Sequence, residues 1–158
     1  MQARPRLVPA ATEDHAGLFE AFTAIVEAAE GFPQAAPLGW DQFEDYWLAH
    51  TAAVVVAKDG DRVVGAYYLK PNFVGRAAHI ANAGYFVSAS HRGRGLGEEM
   101  VRHSMEEAVR LGFDALQFNL VFESNPARRL YERLGFRAVG RIPDAVDGEA
   151  AIVYWRAL

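Results

Sequence analysis

Cysteine is absent from the 158 residues of this sequence. Its absence excludes a disulfide framework, a thiolate nucleophile and a zinc site built on cysteine ligands. Long apolar runs are also missing: the start of the chain lacks the apolar core of a signal peptide, and no uncharged stretch is long enough to span a bilayer. These absences predict a cytoplasmic protein with no membrane partner.

A surplus of positive charge is lacking too. The formal net charge is -4 at pH 7, whereas binding along a nucleic-acid backbone needs a basic face that neutralises phosphates. We therefore expect no nucleic-acid partner, and any anion site has to be local. Hydrophobic residues make up 51% of the chain, which is typical of a packed globular protein, and the length suits a single domain over residues 1–158.

The hydrophobic pattern alternates between strand-like and helix-like segments. Short apolar runs predict strands, while apolar residues at i, i+3 and i+4 predict helices. Predicted strands cover residues 5–10, 52–58, 62–70, 78–87, 114–122, 136–142 and 150–158, and predicted helices run from an N-cap at Thr12 to Gly31, over 41–50, from Leu96 to Gly112 and from Asn125 to Gly135. This order predicts a mixed α/β fold with one central sheet of about seven strands and about four helices.

The segment HRGRGLGEEM at residues 91–100 combines glycines and arginines just before a predicted helix. The first N–H groups of a helix lack partners within it, and the helix dipole places partial positive charge there. Glycine leaves the backbone open to contact by a phosphate, and arginine binds phosphate oxygens in a forked geometry. The segment therefore predicts a phosphate or pyrophosphate site at Arg92, Gly93, Arg94, Gly95 and Gly97.

This segment differs from two common phosphate-binding loops. Glu98 and Glu99 stand where a nucleotide hydrolase needs Lys and Ser or Thr, and Glu98 also replaces the third glycine of the dinucleotide fingerprint. ATP, GTP and NAD are therefore not the expected ligands. Taken alone, the glycine spacing is equally typical of a solvated turn, so the assignment depends on the rest of the chain.

Two segments, YFVSASHRGRGLG at 85–97 and NPARRLYERLGF at 125–136, together resemble the GNAT superfamily of acyl-CoA N-acyltransferases. The first contains that family's R/Q-x-x-G-x-G/A signature. The second matches its N-x-x-A-x-x-L-Y-x-x-x-G-F helix, apart from an alanine displaced by two positions. The resemblance covers the second half of the chain well, and the first half fits by element order only.

The resemblance implies a GNAT fold with a splay between the fourth and fifth strands, and acetyl-CoA as the acyl donor without a metal. Pantetheine would pair with the backbone around Phe86 and Val87. The pyrophosphate would lie on residues 92–97, which include Leu96, and Asn125 would contact the same ligand. Dimerisation through the last strands is common in the superfamily, and a homodimer is left open here.

Tyr131 is the residue that the resemblance points to as the general acid for the departing thiolate. A phenol pKa near ~10 and a thiol pKa near ~8.5 make this proton transfer only mildly uphill. The alternative is a core role, because Tyr131 also falls on the apolar stripe of its predicted helix. Asn125 has two roles as well: a helix N-cap, worth ~1 kcal/mol, and a ligand contact, which can coexist.

No general base follows from the sequence. The predicted strand over residues 78–87, where many GNAT enzymes carry a glutamate, contains no acid. His79, His91 and Glu123 are weak alternatives, because such residues are more often surface or structural groups. An amine with a pKa near ~10 costs roughly 4 kcal/mol to deprotonate at neutral pH. Either water relays the proton or the site lowers the pKa of the amine, and the base is left unassigned.

A closer resemblance concerns the acceptor. The segments YYLKPNFVGRAAHIANAGYFV and FNLVFESN are similar to the fungal N-acetyltransferases that act on L-azetidine-2-carboxylate and related proline analogues. This resemblance implies that Asn82, Asn119 and Asn125 bind the imino acid, with Tyr85 as an aromatic wall. Asparagine can donate to a carboxylate without a fixed charge. Backbone bonding inside apolar strands is the alternative for Asn82 and Asn119.

The expected partner is therefore a small-molecule amine or imino acid. Another amino acid, a polyamine or an antibiotic amine stays open as the acceptor. Two other functions also remain open: a CoA-binding regulatory module without turnover, and acetylation of a protein or peptide amine.

Overall fold

A computed structural model describes residues 3–158, and its strands form where apolar and β-branched runs predict them. They are β1 (Arg6–Pro9), β2 (Ala53–Asp59), β3 (Arg62–Pro71), β4 (Ile80–Val87), β5 (Ala115–Phe122), β6 (Arg137–Val146) and β7 (Glu149–Ala157). They make one sheet in the order β1-β2-β3-β4-β5-β7-β6. All neighbouring pairs are antiparallel except β4 with β5, which are parallel.

Helices follow the predicted order between these strands. They are α1 (His15–Glu27), α2 (Trp40–Phe43), α3 (Leu96–Arg110) and α4 (Arg128–Arg133), and α2 continues as a π-helical segment over Glu44–Ala49. Within residues 3–158, no helix has the length and apolar character needed to cross a membrane. The predicted mixed α/β class with seven strands in one sheet is confirmed.

The start of α1 differs from the prediction. Thr12–Asp14 form a 3-10 turn, and the Asp14 carboxylate accepts a hydrogen bond from the Ala11 backbone N–H at 2.9 Å. The helical segment therefore begins at Ala11, one residue before the predicted N-cap Thr12, and its first free N–H group is bonded by Asp14. The Asp14 carboxylate also lies 2.8 Å from the Lys58 ammonium of β2. The bond to Lys58 lowers the pKa of Asp14.

The sheet opens between β4 and β5. These strands are in register at Ile80 with Ala115, Ala81 with Leu116 and Asn82 with Gln117, and nowhere further along. Beyond Asn82, β4 stays paired with β3, while β5 follows β7 through an irregular register. The predicted splay between the fourth and fifth strands is thus present from Asn82 onward.

Each face of the sheet has its own hydrophobic core. On the α3 face, side chains of α3 and α4 such as Met100 and Tyr131 pack on the sheet. On the α1 face, Phe22 of α1 and Trp47 after α2 do so. Successive residues of a strand point to opposite faces of the sheet. Because the sheet is interrupted between β4 and β5, a ligand placed in this opening can contact side chains of both faces.

Candidate active site

A cavity of about 500 Å³ lies where β4 and β5 separate. Its walls come from both faces of the sheet, since Phe32 belongs to the core of the α1 face and Met100 and Val101 belong to that of the α3 face. We call this cavity the donor cleft. Of the residues predicted to bind the acyl donor, those that line it are Phe86, Val87, Arg92, Gly97 and Asn125.

The edge of β4 facing the cleft offers backbone groups. The Phe86 carbonyl points toward β3, because a Cβ on Gly65 would lie 2.9 Å from that oxygen. Backbone groups alternate in direction along a strand, so those of Val87 point toward the cleft. The Val87 carbonyl accepts a hydrogen bond from Arg92 Nε at 3.1 Å, whereas the Phe86 ring packs against Trp47. The backbone groups that face the cleft therefore belong to Val87, and their predicted pairing with pantetheine stays a prediction.

The turn before α3 has the backbone conformation that its glycines predict. Gly93 and Gly95 adopt φ values of +76° and +83°, a region that side-chain-bearing residues avoid. Gly95 is the N-cap of α3, and its carbonyl accepts a hydrogen bond from the Glu99 N–H at 3.1 Å. A Cβ on Gly97 would meet no atom within 4 Å. The first turn of α3 thus presents open backbone at Gly97 to the cleft.

Arg94 and Leu96 lie on the other side of this turn. Leu96 is buried in the core of the α3 face. Both residues line a separate cavity together with Arg4 and Glu99. Gly93 and Gly95 shape the turn, and within the described part of the chain they do not line the donor cleft. The side chains of Arg94 and Leu96 are therefore not part of the cleft wall, and their predicted donor contact stays a prediction.

Arg92 is the arginine on the cleft side of the turn. Its guanidinium forms an ion pair with Glu30, which follows α1, in addition to its bond to Val87. The two side chains are 43% and 46% exposed, and exposed ion pairs contribute only about 0–1 kcal/mol. A phosphate oxygen can therefore replace Glu30 on Arg92 without leaving a buried charge unpaired.

Asn125 caps the turn that leads into α4. Its side-chain oxygen accepts a hydrogen bond from the Ala127 N–H at 2.9 Å, because the intervening Pro126 has no N–H to donate. The helix begins at Arg128, later than predicted. Within residues 3–158 the side-chain NH₂ of Asn125 has no acceptor, and Asn125 lines the cleft. Capping and a ligand contact are thus compatible in this geometry.

A second cavity, of about 240 Å³, adjoins the donor cleft, and we call it the acceptor cavity. All the residues predicted to bind the acceptor line it: Asn82, Tyr85, Asn119 and Asn125. Other polar side chains of its wall are Tyr46, Tyr68 and Lys70. The residues that line both cavities are Gly31, Phe32, Tyr85, Asn125 and Tyr131.

Tyr131 therefore lies where the two cavities meet. Its ring packs against Phe118, with 4.7 Å between centroids, and its side chain is buried. Among the described residues, its hydroxyl has no hydrogen-bond partner. Burial raises the pKa of Tyr131, and neighbouring Tyr154 adds to that effect. The hydroxyl consequently stays protonated at neutral pH and is available as a donor to a bound molecule.

Asn82 is both bonded within the sheet and part of the cavity wall. Its Nδ2 donates to the Gln117 carbonyl of β5 at 3.0 Å, and its Oδ1 accepts from the Tyr68 hydroxyl at 3.3 Å. The Tyr68 hydroxyl in turn lies 2.9 Å from that of Tyr46. The sheet bond that was the alternative role of Asn82 is present, and the residue still reaches the acceptor cavity.

Asn119 has a different environment from Asn82. It is exposed, and its amide exchanges two hydrogen bonds with the amide of Asn72 in the loop after β3, at 3.1 and 2.6 Å. Gln117 Nε2 donates to the same side-chain oxygen at 3.1 Å. The backbone bonding expected as the alternative role of Asn119 is therefore replaced by side-chain bonds, and the pairing of β5 with β7 is irregular here, between Phe118 and Val121.

Tyr85 contributes its ring rather than its hydroxyl. The Ser104 hydroxyl donates to the Val101 carbonyl at 2.7 Å, so the Tyr85 hydroxyl, 2.6 Å from Ser104, is the donor between the two. This hydrogen bond directs the polar end of Tyr85 toward α3. The ring is left to form the aromatic wall that the resemblance implies, 6.4 Å from the ring of Tyr131.

Gly84 makes room for another ring. A Cβ at this position would lie 2.7 Å from the Tyr68 ring, which faces Gly84 across the β3–β4 pair. Such a distance is too short for real atoms, so a side chain here would displace Tyr68. The glycine inside the strand thus marks a close approach, as glycines in strands often do.

Lys70, Tyr68 and Tyr46 were not among the predicted site residues. Lys70 pairs with Asn82 across β3 and β4, and its ammonium lies 4.7 and 4.9 Å from the ring centres of Tyr46 and Tyr68. Burial lowers the pKa of Lys70, opposed by the exposed Asp45. The two-residue period of β3 predicts that Tyr68 and Lys70 share one face of the sheet. Their position next to Asn82 depends on the β3–β4 register, which the sequence pattern does not give.

None of the weak base candidates lines either cavity. His79 contacts a loop carbonyl, and His91 contacts the Asp59 carboxylate. Glu123 pairs with Arg141. Residues 3–158 contain no group of three or more His, Asp or Glu side chains placed to hold a metal ion.

The opening in the mixed sheet lies beside the glycine-rich start of α3, and this leaves room for a ligand between two strands. The acetyltransferase (GNAT) family matches residues 19–136, and the chain belongs to this family. This match confirms the predicted GNAT fold and the predicted class of acetyl-CoA-dependent N-acyltransferase.

Curated relatives match half of the chain. The N-acetyltransferase aca1 of Schizosaccharomyces pombe is 46% identical over 84 residues, which are 52% of this chain and 40% of that protein. The protein SPT10 of Saccharomyces cerevisiae is 36% identical over 83 residues, 52% of this chain and 13% of that protein. The chain thus spans less than half the length of these relatives.

Solved structures match over nearly the whole chain. A GCN5-related N-acetyltransferase from Kribbella flavida has a TM-score of 0.89 and 32% identity, covering 98% of both chains. The phosphinothricin acetyltransferase of Sinorhizobium meliloti, in complex with acetyl-CoA, has a TM-score of 0.81 and 18% identity, covering 99% of this chain and 89% of that one. The second likeness is one of fold alone.

Proposed function

We propose that this chain transfers an acetyl group from acetyl-CoA to the amine of a small amino or imino acid. One observation carries the proposal: the donor cleft and the acceptor cavity meet at Tyr131, which lines both. Holding two reactants in contact on either side of one donor group is the main requirement of a direct transfer.

The size and walls of the acceptor cavity support a small acceptor. Its volume of about 240 Å³ is below the ~300–1,000 Å³ of pockets that enclose drug-sized ligands. Tyr46 and Tyr68 lie on the α1 side of the opening, and Phe118 and Tyr131 lie on the α3 side. A cavity of this size between two aromatic walls favours an amino or imino acid over a peptide.

The donor cleft fits acetyl-CoA by its chemistry. The Val87 backbone faces the cleft as an acceptor and donor for an amide-bearing arm. The start of α3 offers unpaired N–H groups beside the open Gly97, and Arg92 can exchange Glu30 for a phosphate oxygen. These groups supply the contacts that the pantetheine amides and the pyrophosphate of acetyl-CoA require.

Acetyl-CoA supplies a thioester carbon that a neutral amine can attack. The new N–C bond forms as the C–S bond breaks, the sulfur accepts a proton, and the amine nitrogen releases one to water. In this proposal Tyr131 donates its hydroxyl hydrogen to the departing sulfur. Because its pKa is raised by burial, full proton transfer is less favourable than from an ordinary phenol, and the main contribution is a hydrogen bond to the developing negative charge.

The amine has to arrive neutral or lose its proton in the site. The acceptor cavity is lined by no aspartate, glutamate or histidine of the described chain. Water in the open cleft is therefore the proposed proton acceptor, and the general base stays unassigned.

The test is free-thiol release from acetyl-CoA by the purified protein. L-azetidine-2-carboxylate, L-proline, ordinary amino acids and a polyamine are compared with a reaction that lacks acceptor. Turnover with an amino or imino acid above the acceptor-free rate is the expected result. Binding of acetyl-CoA without turnover on any acceptor would replace the proposal with a regulatory CoA-binding module. Turnover with the polyamine alone would keep the enzyme class and reject the acceptor class.

A further inference from the structure

The acceptor cavity carries one positive charge and no negative one. Of the side chains that line it, Lys70 is the charged one, and the other polar members are tyrosines and asparagines. A site built for a polyamine or another cation needs acidic groups to offset the charge of its ligand, and none is present in this wall as described. The charge pattern instead favours a ligand that carries an anion.

Lys70 is held in place without an anionic partner of its own. In the described chain no carboxylate lies within ion-pair distance of its ammonium, and the exposed Asp45 pairs with His50 instead. The rings of Tyr46 and Tyr68 lie 4.7 and 4.9 Å from the ammonium and orient it by cation–π attraction. A half-buried ammonium group without a carboxylate partner favours the binding of an anion.

Two asparagine side chains line the same cavity as Lys70. Asn82 is the direct partner of Lys70 in the β3–β4 register, so both side chains lie on the same face of the sheet. Asn119 follows on β5, and all three side chains line the same cavity. The NH₂ groups of Asn82 and Asn119 each donate once, to the Gln117 carbonyl and to Asn72, and each keeps a second N–H. A carboxylate beside Lys70 could use these donors while the amine of the same molecule reaches the end of the cavity at Tyr131.

We propose that Lys70 binds the carboxylate of the acceptor and thereby selects α-amino and imino acids over amines that lack an acid group. This inference rests on the proposed function and names the residue that determines its acceptor class. The anchor also fixes the orientation of the acceptor, because its two ends then have different partners.

The experiment compares each acid with its own amide. L-proline with L-prolinamide, and L-azetidine-2-carboxylate with its amide, are assayed by thiol release with the parent protein, Lys70→Met and Lys70→Arg. Methionine keeps a long apolar stem over the tyrosine rings and removes the charge. We expect Lys70→Met to lower kcat/KM for the acids roughly 10- to 100-fold, the size of a lost hydrogen bond to a charged group.

The amides lack the carboxylate, so their kcat/KM reflects every contribution to turnover except the contact between Lys70 and that group. We expect their kcat/KM to change less than about threefold in Lys70→Met, and Lys70→Arg to recover part of the acid rate. Comparing the acid-to-amide ratio between variants cancels the different amine reactivities of the two compounds. Arg62→Met removes one positive charge from the other end of β3, and it should leave the ratio unchanged. Equal losses for acid and amide in Lys70→Met would overturn the inference.

A binding measurement separates this inference from the proposed function. Calorimetric titration of L-proline and L-prolinamide into the protein saturated with CoA needs no turnover. Weaker proline binding in Lys70→Met, with prolinamide binding unchanged, supports the anchor even if no acceptor is acetylated. Equal binding of the acid to the parent protein and to Lys70→Met rejects the anchor even if acetylation is observed.

Discussion

The donor cleft and the acceptor cavity share an opening in the sheet but are built from different parts of the chain. The donor cleft presents backbone at Val87 and at Gly97, next to a helix start. The acceptor cavity presents side chains that meet across strands, as Lys70 does with Asn82. A backbone site suits a ligand whose chemistry does not vary, whereas a side-chain site can change its specificity by substitution without altering the fold.

The largest effect on activity is expected where the two cavities meet. Tyr131→Phe removes a hydroxyl that has no protein partner in the described chain, so the melting temperature should stay the same. If the hydroxyl donates to the departing sulfur, kcat should fall about 100-fold or more, the range found when one donor to a developing negative charge is removed. Steady-state thiol release and thermal unfolding of the same preparation measure both quantities.

Tyr154→Phe is the matched control for this variant. The Tyr154 hydroxyl accepts from Arg128 Nε at 2.9 Å and donates to Glu132 at 3.0 Å. Its removal should cost on the order of 1–3 kcal/mol of unfolding free energy and leave kcat nearly unchanged. A Tyr131→Phe protein that loses stability but keeps its kcat would show that Tyr131 is a core residue only.

A smaller effect is expected from the asparagines of the acceptor cavity. Asn82→Ala removes the side-chain donor to the Gln117 carbonyl and one acceptor of the Tyr68 hydroxyl, which keeps its contact with Tyr46, and this should cost about 1–3 kcal/mol of stability. It should also raise KM for the acceptor. Asn119→Ala changes an exposed side chain, so its stability should stay within about 0.5 kcal/mol of the parent, while KM rises as well. Denaturant unfolding and acceptor titrations test both variants, and unchanged amino-acid turnover in the two would reject their role.

The smallest effect is expected on the donor side. Gly97→Ala places a methyl group in open space within α3, so the protein should gain roughly 0.5–1 kcal/mol of stability from helix propensity. The same methyl group stands between phosphate and backbone, and KM for acetyl-CoA should rise by about tenfold, equivalent to ~1.4 kcal/mol.

Gly95→Ala is the control for Gly97→Ala, which is expected to gain stability while it binds acetyl-CoA more weakly. At φ +83° an alanine is strained by about 1–2 kcal/mol, so this variant should lose stability. Tighter acetyl-CoA binding by Gly97→Ala would show that the phosphate lies elsewhere.

The fold could be predicted from sequence because local patterns determine it, whereas the donor side was predicted from two motifs that resemble a known family, and its contacts stay a prediction. Strand periods, glycine positions and the spacing from Asn125 to Tyr131 are all short-range signals. The acceptor side could be predicted only in part. Asn82 came from a resemblance, whereas Lys70 escaped notice because its role follows from the register between β3 and β4. The exposure of Asn119 depends on where β5 departs from its neighbour, which no local pattern encodes.

The short paired segment between β4 and β5 has a consequence for the stability of the whole sheet. Three residue pairs, ending at Asn82 with Gln117, join the β1–β4 portion of the sheet to the portion formed by β5, β7 and β6. An acyl donor paired along Val87 would act as an additional short strand and bridge the two portions. Backbone amides near Val87 would then exchange with solvent more slowly, and the unfolding temperature would rise with donor concentration. In this interpretation the acyl donor completes the hydrogen bonding of a sheet that is interrupted between β4 and β5.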